Sequence, residues 1–173
     1  MGLDMYLYKC KKEDYLRRKD SEDALRWMFV EAQCEKWERE LPLLFKPQMT
    51  EEQCAEHKCK LAIFWRKANQ IYGWLVDNAG ADLNGDVTLV AKEHLLALRD
   101  VCEQVIHDGI GSKGYIRKRV CRRLLPKTKG PYFGDHIYDK DYMDEVRYTL
   151  AELNKLIETT NFEKEVILFT SSW

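Results

Sequence analysis

The chain has 173 residues and a mass of 20.5 kDa, the size of one ordinary domain, and can take roughly 70% of its unfolded surface out of water. With 45% hydrophobic and 33% charged residues, nine glycines and four prolines, it is neither collagenous nor wholly disordered. A net charge of −1 predicts no general affinity for nucleic acid. No apolar run approaches the ~18 residues of a membrane span, so no membrane partner is expected.

Leu3, Met5 and Leu7 alternate with Asp4, Tyr6 and Tyr8, which marks a strand with one buried face. Val166 to Phe169 form a second short strand at the other end, rich in branched and aromatic residues. The two ends are expected to pair. Between them the period turns helical. Leu25, Met28, Phe29 and Ala32 predict a helix from about Ser21 to Glu40, ended by Pro42. A capping box at Thr50-Glu51-Glu52-Gln53 then opens a helix whose stripe is Leu61, Phe64, Ala68, Ile71 and Leu75, closed by Gly80. Asn84-Gly85 reads as a hairpin turn with Val87-Thr88-Leu89 as second arm. Leu95, Leu98, Cys102 and Val105 predict a helix from about Ala91 to His107. Tyr142, Val146, Leu150, Leu153 and Ile157 predict another from about Lys140 to Glu158. The expected fold is α+β: a small, mainly antiparallel sheet pairing the N- and C-terminal strands, covered by four or five helices in a single domain, 1–173.

The six cysteines are read as reduced thiols, several buried as small hydrophobes. Cys54 and Cys59 bracket His57, but no second pair stands at zinc-ligand spacing, and no metal or cofactor is assigned. Gly109-Ile-Gly-Ser-Lys-Gly114 lacks the spacing of a phosphate-binding loop. Asp82, Asn84, Asp86, Thr88 and Glu93 imitate a calcium loop, yet Val87 stands where its sharp turn needs glycine. No catalytic residue is assigned. The weak candidates are His136 with Asp135 and Asp139, acidic neighbours that could support acid/base chemistry.

The charge is unevenly placed. From Gly109 to Gly134 there is no Asp or Glu, while Lys113, Arg117, Lys118, Arg119, Arg122, Arg123, Lys127 and Lys129 give +8, leaving −9 elsewhere. On a helical wheel Ile116, Val120, Cys121, Leu124 and Leu125 take one half and Lys118, Arg119, Arg122 and Arg123 the other. Arg117 falls within the apolar half, where it must snorkel or be paired. The bland reading is a solvated basic face paired with Asp141, Asp144 and Glu145. The functional reading is an anion site, because Leu124 to Gly134 adds cations, glycine-freed backbone donors and the aromatics Tyr132 and Phe133. Arg66 and Asn69, on the helix expected around them, would add polar contacts. Gly73 within that helix signals close approach by another group. The acidic remainder opposes duplex nucleic acid.

Met1-Gly-Leu-Asp-Met-Tyr-Leu-Tyr8, Trp65-Arg-Lys-Ala-Asn69, Leu124-Leu-Pro126 with Tyr132-Phe-Gly134 and Tyr138-Asp139, and Ser171-Ser-Trp173 resemble a family of small uncharacterised proteins encoded by bacteriophages, prophages and some bacteria. The likeness covers both ends and most of the middle; about 11–48 reads as a variable helical insertion. Members tend to carry histidine where this chain has Tyr72, so any catalytic histidine on that helix is missing here. The resemblance implies an accessory protein of a virus or mobile element, acting in the bacterial cytoplasm, with counter-defence by sequestration as the analogy.

The leading expectation is a binding protein for a small anionic, nucleotide-like ligand. Its contacts would be Arg66, Asn69, Lys113, Arg117, Arg119, Arg122, Arg123, Lys129, Tyr132 and Phe133. The alternatives are a nucleotide-processing hydrolase using His136, and an inhibitor or assembly protein docking a host protein through the basic helix. Sequestering proteins are commonly oligomers, so a homo-oligomer is expected.

Overall fold

The computed structural model describes residues 2–20, 59–81, 86–130 and 133–172. Strand β1 (Asp4–Lys11) pairs antiparallel with β4 (Glu165–Ser172) from Asp4 opposite Ser172 to Lys11 opposite Glu165, so the two ends of the chain meet as their alternation predicts. On its other side β1 pairs with β2 (Cys59–Arg66). The short β3 (Thr88–Val90) joins the outer edge of β4, giving a four-stranded antiparallel sheet in the order β2-β1-β4-β3.

Five helices accompany the sheet among the described residues: α1 (Lys12–Arg18), α2 (Asn69–Ala79), α3 (Lys92–Gly109), α4 (Lys118–Leu124) and α5 (Lys140–Thr159). This is the expected α+β architecture. One face of the sheet gives Leu3, Met5, Leu7, Ile63, Trp65, Ile167 and Phe169 to the main core. Leu95, Leu98 and Cys102 of α3 and Tyr142, Val146 and Leu153 of α5 complete it. The other face carries a smaller buried cluster of Tyr8, Cys10, Cys59 and Leu168.

Three readings need correction and one completion. Cys59–Arg66 is a strand, and the helix after it begins only at Asn69. The register between β1 and β2 shifts beside Leu7/Tyr8, opposite Ala62. That bulge turns Leu61 and Phe64 toward the same face, where they pack with Tyr8 and Tyr6. Side chains three apart thus share a face, which imitates a helical stripe. Lys67, at φ 62°, then turns the chain into α2.

Second, the partner shown for this segment is β4: Thr88 to Val90 pair with Phe169 to Ile167, while the Asn84-Gly85 turn and the arm before it lie outside the described residues. Third, Cys10 and Cys59 are not free thiols. They are register partners on neighbouring strands and form a disulfide across 49 residues of sequence, a proximity that only the strand pairing creates. Cys102 and Cys121 are free and buried. Fourth, Arg117 is exposed and stands one residue before α4, so the apolar half of the wheel does not contain it. The helix expected at 21–40, the Thr50 capping box, Cys54 with His57, and Asn84-Gly85 lie outside the described residues.

Candidate functional site

The basic segment starts where α3 ends. An isolated bridge between Ile110 and Ile116 closes a tight loop, and Arg117 N–H donates to Gly109 O at 2.7 Å. Gly109 allows Cys121 Sγ of α4 to come within 2.9 Å of where a Cβ would stand, so α4 packs hard against the end of α3. Only Cys121 is buried on α4. At 100° per residue, Lys118, Arg122, Arg119 and Arg123 fall within an arc of about 140°. All four are exposed.

Among the described residues no ion pair reaches Lys113, Lys118, Arg119, Arg123 or Lys129. Arg117 donates to a carbonyl, Asp108 O, at 3.3 Å, and Arg122 lies over the Tyr138 ring at 5.6 Å. Two of the three acids that a solvated, paired face would use are engaged elsewhere. Asp144 holds Lys140 and Arg147, and Glu145 accepts from Gln70. Asp141, also exposed, makes no ion pair among the described residues.

Beyond α4 the chain is clamped onto α2. Asn69 Nδ2 donates to Phe133 O at 2.9 Å and to Asp135 O at 3.0 Å. Gly73 is the close approach that the sequence signals: a Cβ there would stand 1.8 Å from Thr128 Oγ1. Gly134, at φ 94°, lies against Lys67, with 3.3 Å between its Cβ position and that of the lysine. Tyr142 O–H donates to Leu125 O, and Lys127 N–H donates to Tyr138 Oη, both at 2.9 Å. Asn69 thus holds Phe133 and Asp135, while Leu125 and Lys127 are held by Tyr142 and Tyr138.

The clamp changes the part that several candidates play. Phe133 is 4% exposed and meets the Tyr72 ring edge-on at 5.0 Å, so its ring belongs to the core and offers no stacking face. Tyr132 lies outside the described residues. Asn69 is fully buried and holds the loop. Arg66 is exposed at the end of β2, 3.8 Å from the Asp4 carboxylate, and the two do not share a helix flank. Asp139 caps α5 by accepting from Tyr142 N–H at 3.2 Å. Asp135 takes Lys127 Nζ at 2.8 Å and the Ile137 N–H at 3.0 Å, and the lysine hydrogen bond pulls its carboxyl below the ordinary range. His136 is exposed and hydrogen-bonds to neither acid.

Sequence reasoning missed Gln70 and took Glu145 only as an acid for the basic face. Gln70 is fully buried and its Nε2 donates to Glu145 Oε2 at 2.6 Å. Burial raises the Glu145 carboxyl above its ordinary value, against the lowering pull of Gln70 and Lys127. A glutamine beside a helix start and a glutamate on a helix flank read as solvated surface, so no local signal singles them out. The nearby Trp65 Nε1 donates to Thr149 Oγ1 at 2.9 Å, which fixes β2 against α5.

A separate cavity of about 620 Å³ opens beside α1, lined chiefly by Lys11, Lys12, Lys164, Glu13, Glu163 and Glu165. Its charges balance and it includes none of the site residues. Among the described residues no group of three or more His, Cys, Asp or Glu could hold a metal ion, and no helix is long and apolar enough to cross a membrane. Comparison with family models, curated proteins and solved structures finds no match to this chain.

Proposed function

We propose that this protein binds a phosphate-bearing, nucleotide-like ligand through the exposed face of α4 and the cations that flank it. The observation that carries this reading is the set of cations that make no ion pair among the described residues, Lys113, Lys118, Arg119, Arg123 and Lys129, in a segment with no acid of its own. Cations crowded on one face repel each other, and a multivalent anion relieves that repulsion while accepting their hydrogen bonds. The aromatic contact assigned to Phe133 falls instead to Tyr115. Its ring lies on Gly111, is 57% exposed, and follows Lys113 by two residues. A sequestering, counter-defence role rests on the motif resemblance and is the reading offered for why such a ligand is bound.

A hydrolase is less well supported, because Asp135 and Asp139 are committed to Lys127 and to the start of α5. The experiment is a thermal-shift panel of linear and cyclic nucleotides. A ligand at 100 times its Kd adds about 2.7 kcal/mol to the folded state. A shift with intact recovery of the nucleotide supports binding, and recovery of a product makes the protein an enzyme. With no shift across the panel, the basic face is a protein interface instead.

A further inference from the structure

Beyond its bulge the start of β2 meets β1 at three register pairs: Tyr8 with Leu61, Lys9 with Lys60 and Cys10 with Cys59. The middle pair sets two cationic side chains directly opposite each other, which weakens a strand pairing. Among the described residues neither lysine makes an ion pair; Lys9 Nζ donates to Thr159 O at 3.2 Å, and Lys60 is exposed. β2 is also an outer strand of the sheet, so no other described strand holds this end from its far side.

The four pairs from Asp4–Arg66 to Leu7–Ile63 are better held. Met5, Leu7, Ile63 and Trp65 lie in the main core, and the Trp65 indole is tied to Thr149 of α5. The strand thus divides at the bulge. The core holds one part, and the Cys10–Cys59 bond, with the small cluster to which both cysteines belong, holds the other.

We propose that this disulfide is a redox-controlled latch. Oxidised, it fixes Cys59–Leu61 on β1; reduced, it lets those three residues leave β1 while the strand beyond the bulge stays paired. Cys10 and Cys59 are 1% and 4% exposed, so a reductant reaches the bond when the strand end opens, and the weak pairing supplies that opening without global unfolding. The reductant required is a dithiol. Its thiolate attacks Cys59 Sγ, the S–S bond breaks with Cys10 leaving as thiolate, and its second thiol releases Cys59 by closing a disulfide of its own; two electrons and two protons pass to the protein. The latch is independent of the phosphate-binding reading.

The test is hydrogen exchange, read by mass spectrometry, on the full-length protein before and after reduction with dithiothreitol. Amides of residues 59–61 are expected to lose protection about tenfold or more on reduction, while those of 63–66 keep theirs. The rate of reduction should stay flat across sub-denaturing urea, because local opening exposes little surface. Lys60→Glu sets a carboxylate opposite Lys9 and should return much of the lost protection to the reduced protein. Unchanged protection at 59–61, equal loss along all of β2, or a reduction rate that climbs with urea as global unfolding does overturns the latch. So does a reduced Lys60→Glu protein as open as reduced wild type, since the weak pairing is then not the cause.

Discussion

Replacing Gly73 by alanine tests the clamp between the loop and α2. In an ordinary helix interior the change stabilises by about 0.5–1 kcal/mol, since glycine loses more freedom on folding. Here the new Cβ would stand 1.8 Å from Thr128 Oγ1 and 3.0 Å from Thr128 Cβ. Rotating χ1 moves the hydroxyl, but Thr128 Cβ is fixed by the backbone, so the loop itself must shift. Overpacking of this kind costs about 1–3 kcal/mol. With the overlap this severe we take the upper end, and subtracting the helix gain leaves about 2 kcal/mol of destabilisation. For a chain of 173 residues that lowers Tm by about 4–8 °C in a thermal melt. Adding Thr128→Ala removes the hydroxyl but keeps the 3.0 Å contact, so it should recover about half of the loss. A Gly73→Ala protein more stable than wild type would refute the packing of this loop on α2.

The remaining predictions concern the loop clamp, the cysteines and two carboxyl groups. Asn69→Ala leaves the carbonyls of Phe133 and Asp135 without their donor and should cost about 2–4 kcal/mol in chemical denaturation; a loss below about 1 kcal/mol contradicts the clamp. Asn69→Asp should be worse, because a carboxylate would face the same two carbonyls. Cys102, its thiol pushed up to about 12 by burial, should resist alkylation at pH 8 in the native state and react once unfolded. Cys10 and Cys59 should be alkylated only after reduction, and mass spectrometry finding them labelled without a reductant contradicts the bond. Burial raises the Glu145 carboxyl, so the folded state keeps that proton longer than the unfolded chain. Its contribution to stability is therefore present at low pH and falls as pH rises through the raised value. Asp135, lowered by Lys127, acts with the opposite sign and loses its contribution as pH falls. In melts across pH 3–8, Glu145→Gln should be more stable relative to wild type at pH 7 than at pH 3, and the reverse order contradicts the assignment.

Much of the frame is legible from residue order. Leu3, Met5 and Leu7 alternate, Val166 to Phe169 are branched and aromatic, and the two segments pair in the structure. The helices at 92–109 and 140–159 show in their apolar spacing because each buries one face in the main core. The strand at 59–66 is hidden by its bulge, which gives Leu61 and Phe64 a spacing that both periods can explain. Cys10 and Cys59 are unreadable as a pair, since only strand register brings them together. At the site, the run without acids shows directly that cations dominate the segment. Which aromatic is free does not show, because Tyr132 and Phe133 are adjacent and the structure buries Phe133 against Tyr72. Gly73 signals a close approach without naming Thr128. Gln70 and Glu145 carry no signal, since their importance comes from enclosure by elements distant in sequence.

The most direct test of the anion site is calorimetric titration of wild type and an Arg119→Glu/Arg123→Glu variant with the nucleotide that gives the largest thermal shift. Neither arginine makes an ion pair or hydrogen bond through its side chain among the described residues, so the variant should keep its circular dichroism spectrum and a Tm close to wild type. The account predicts saturable wild-type binding that weakens as salt is raised, and a variant that binds at least about a hundredfold less tightly, because two cations become two anions. A folded variant that binds as tightly as wild type would contradict it.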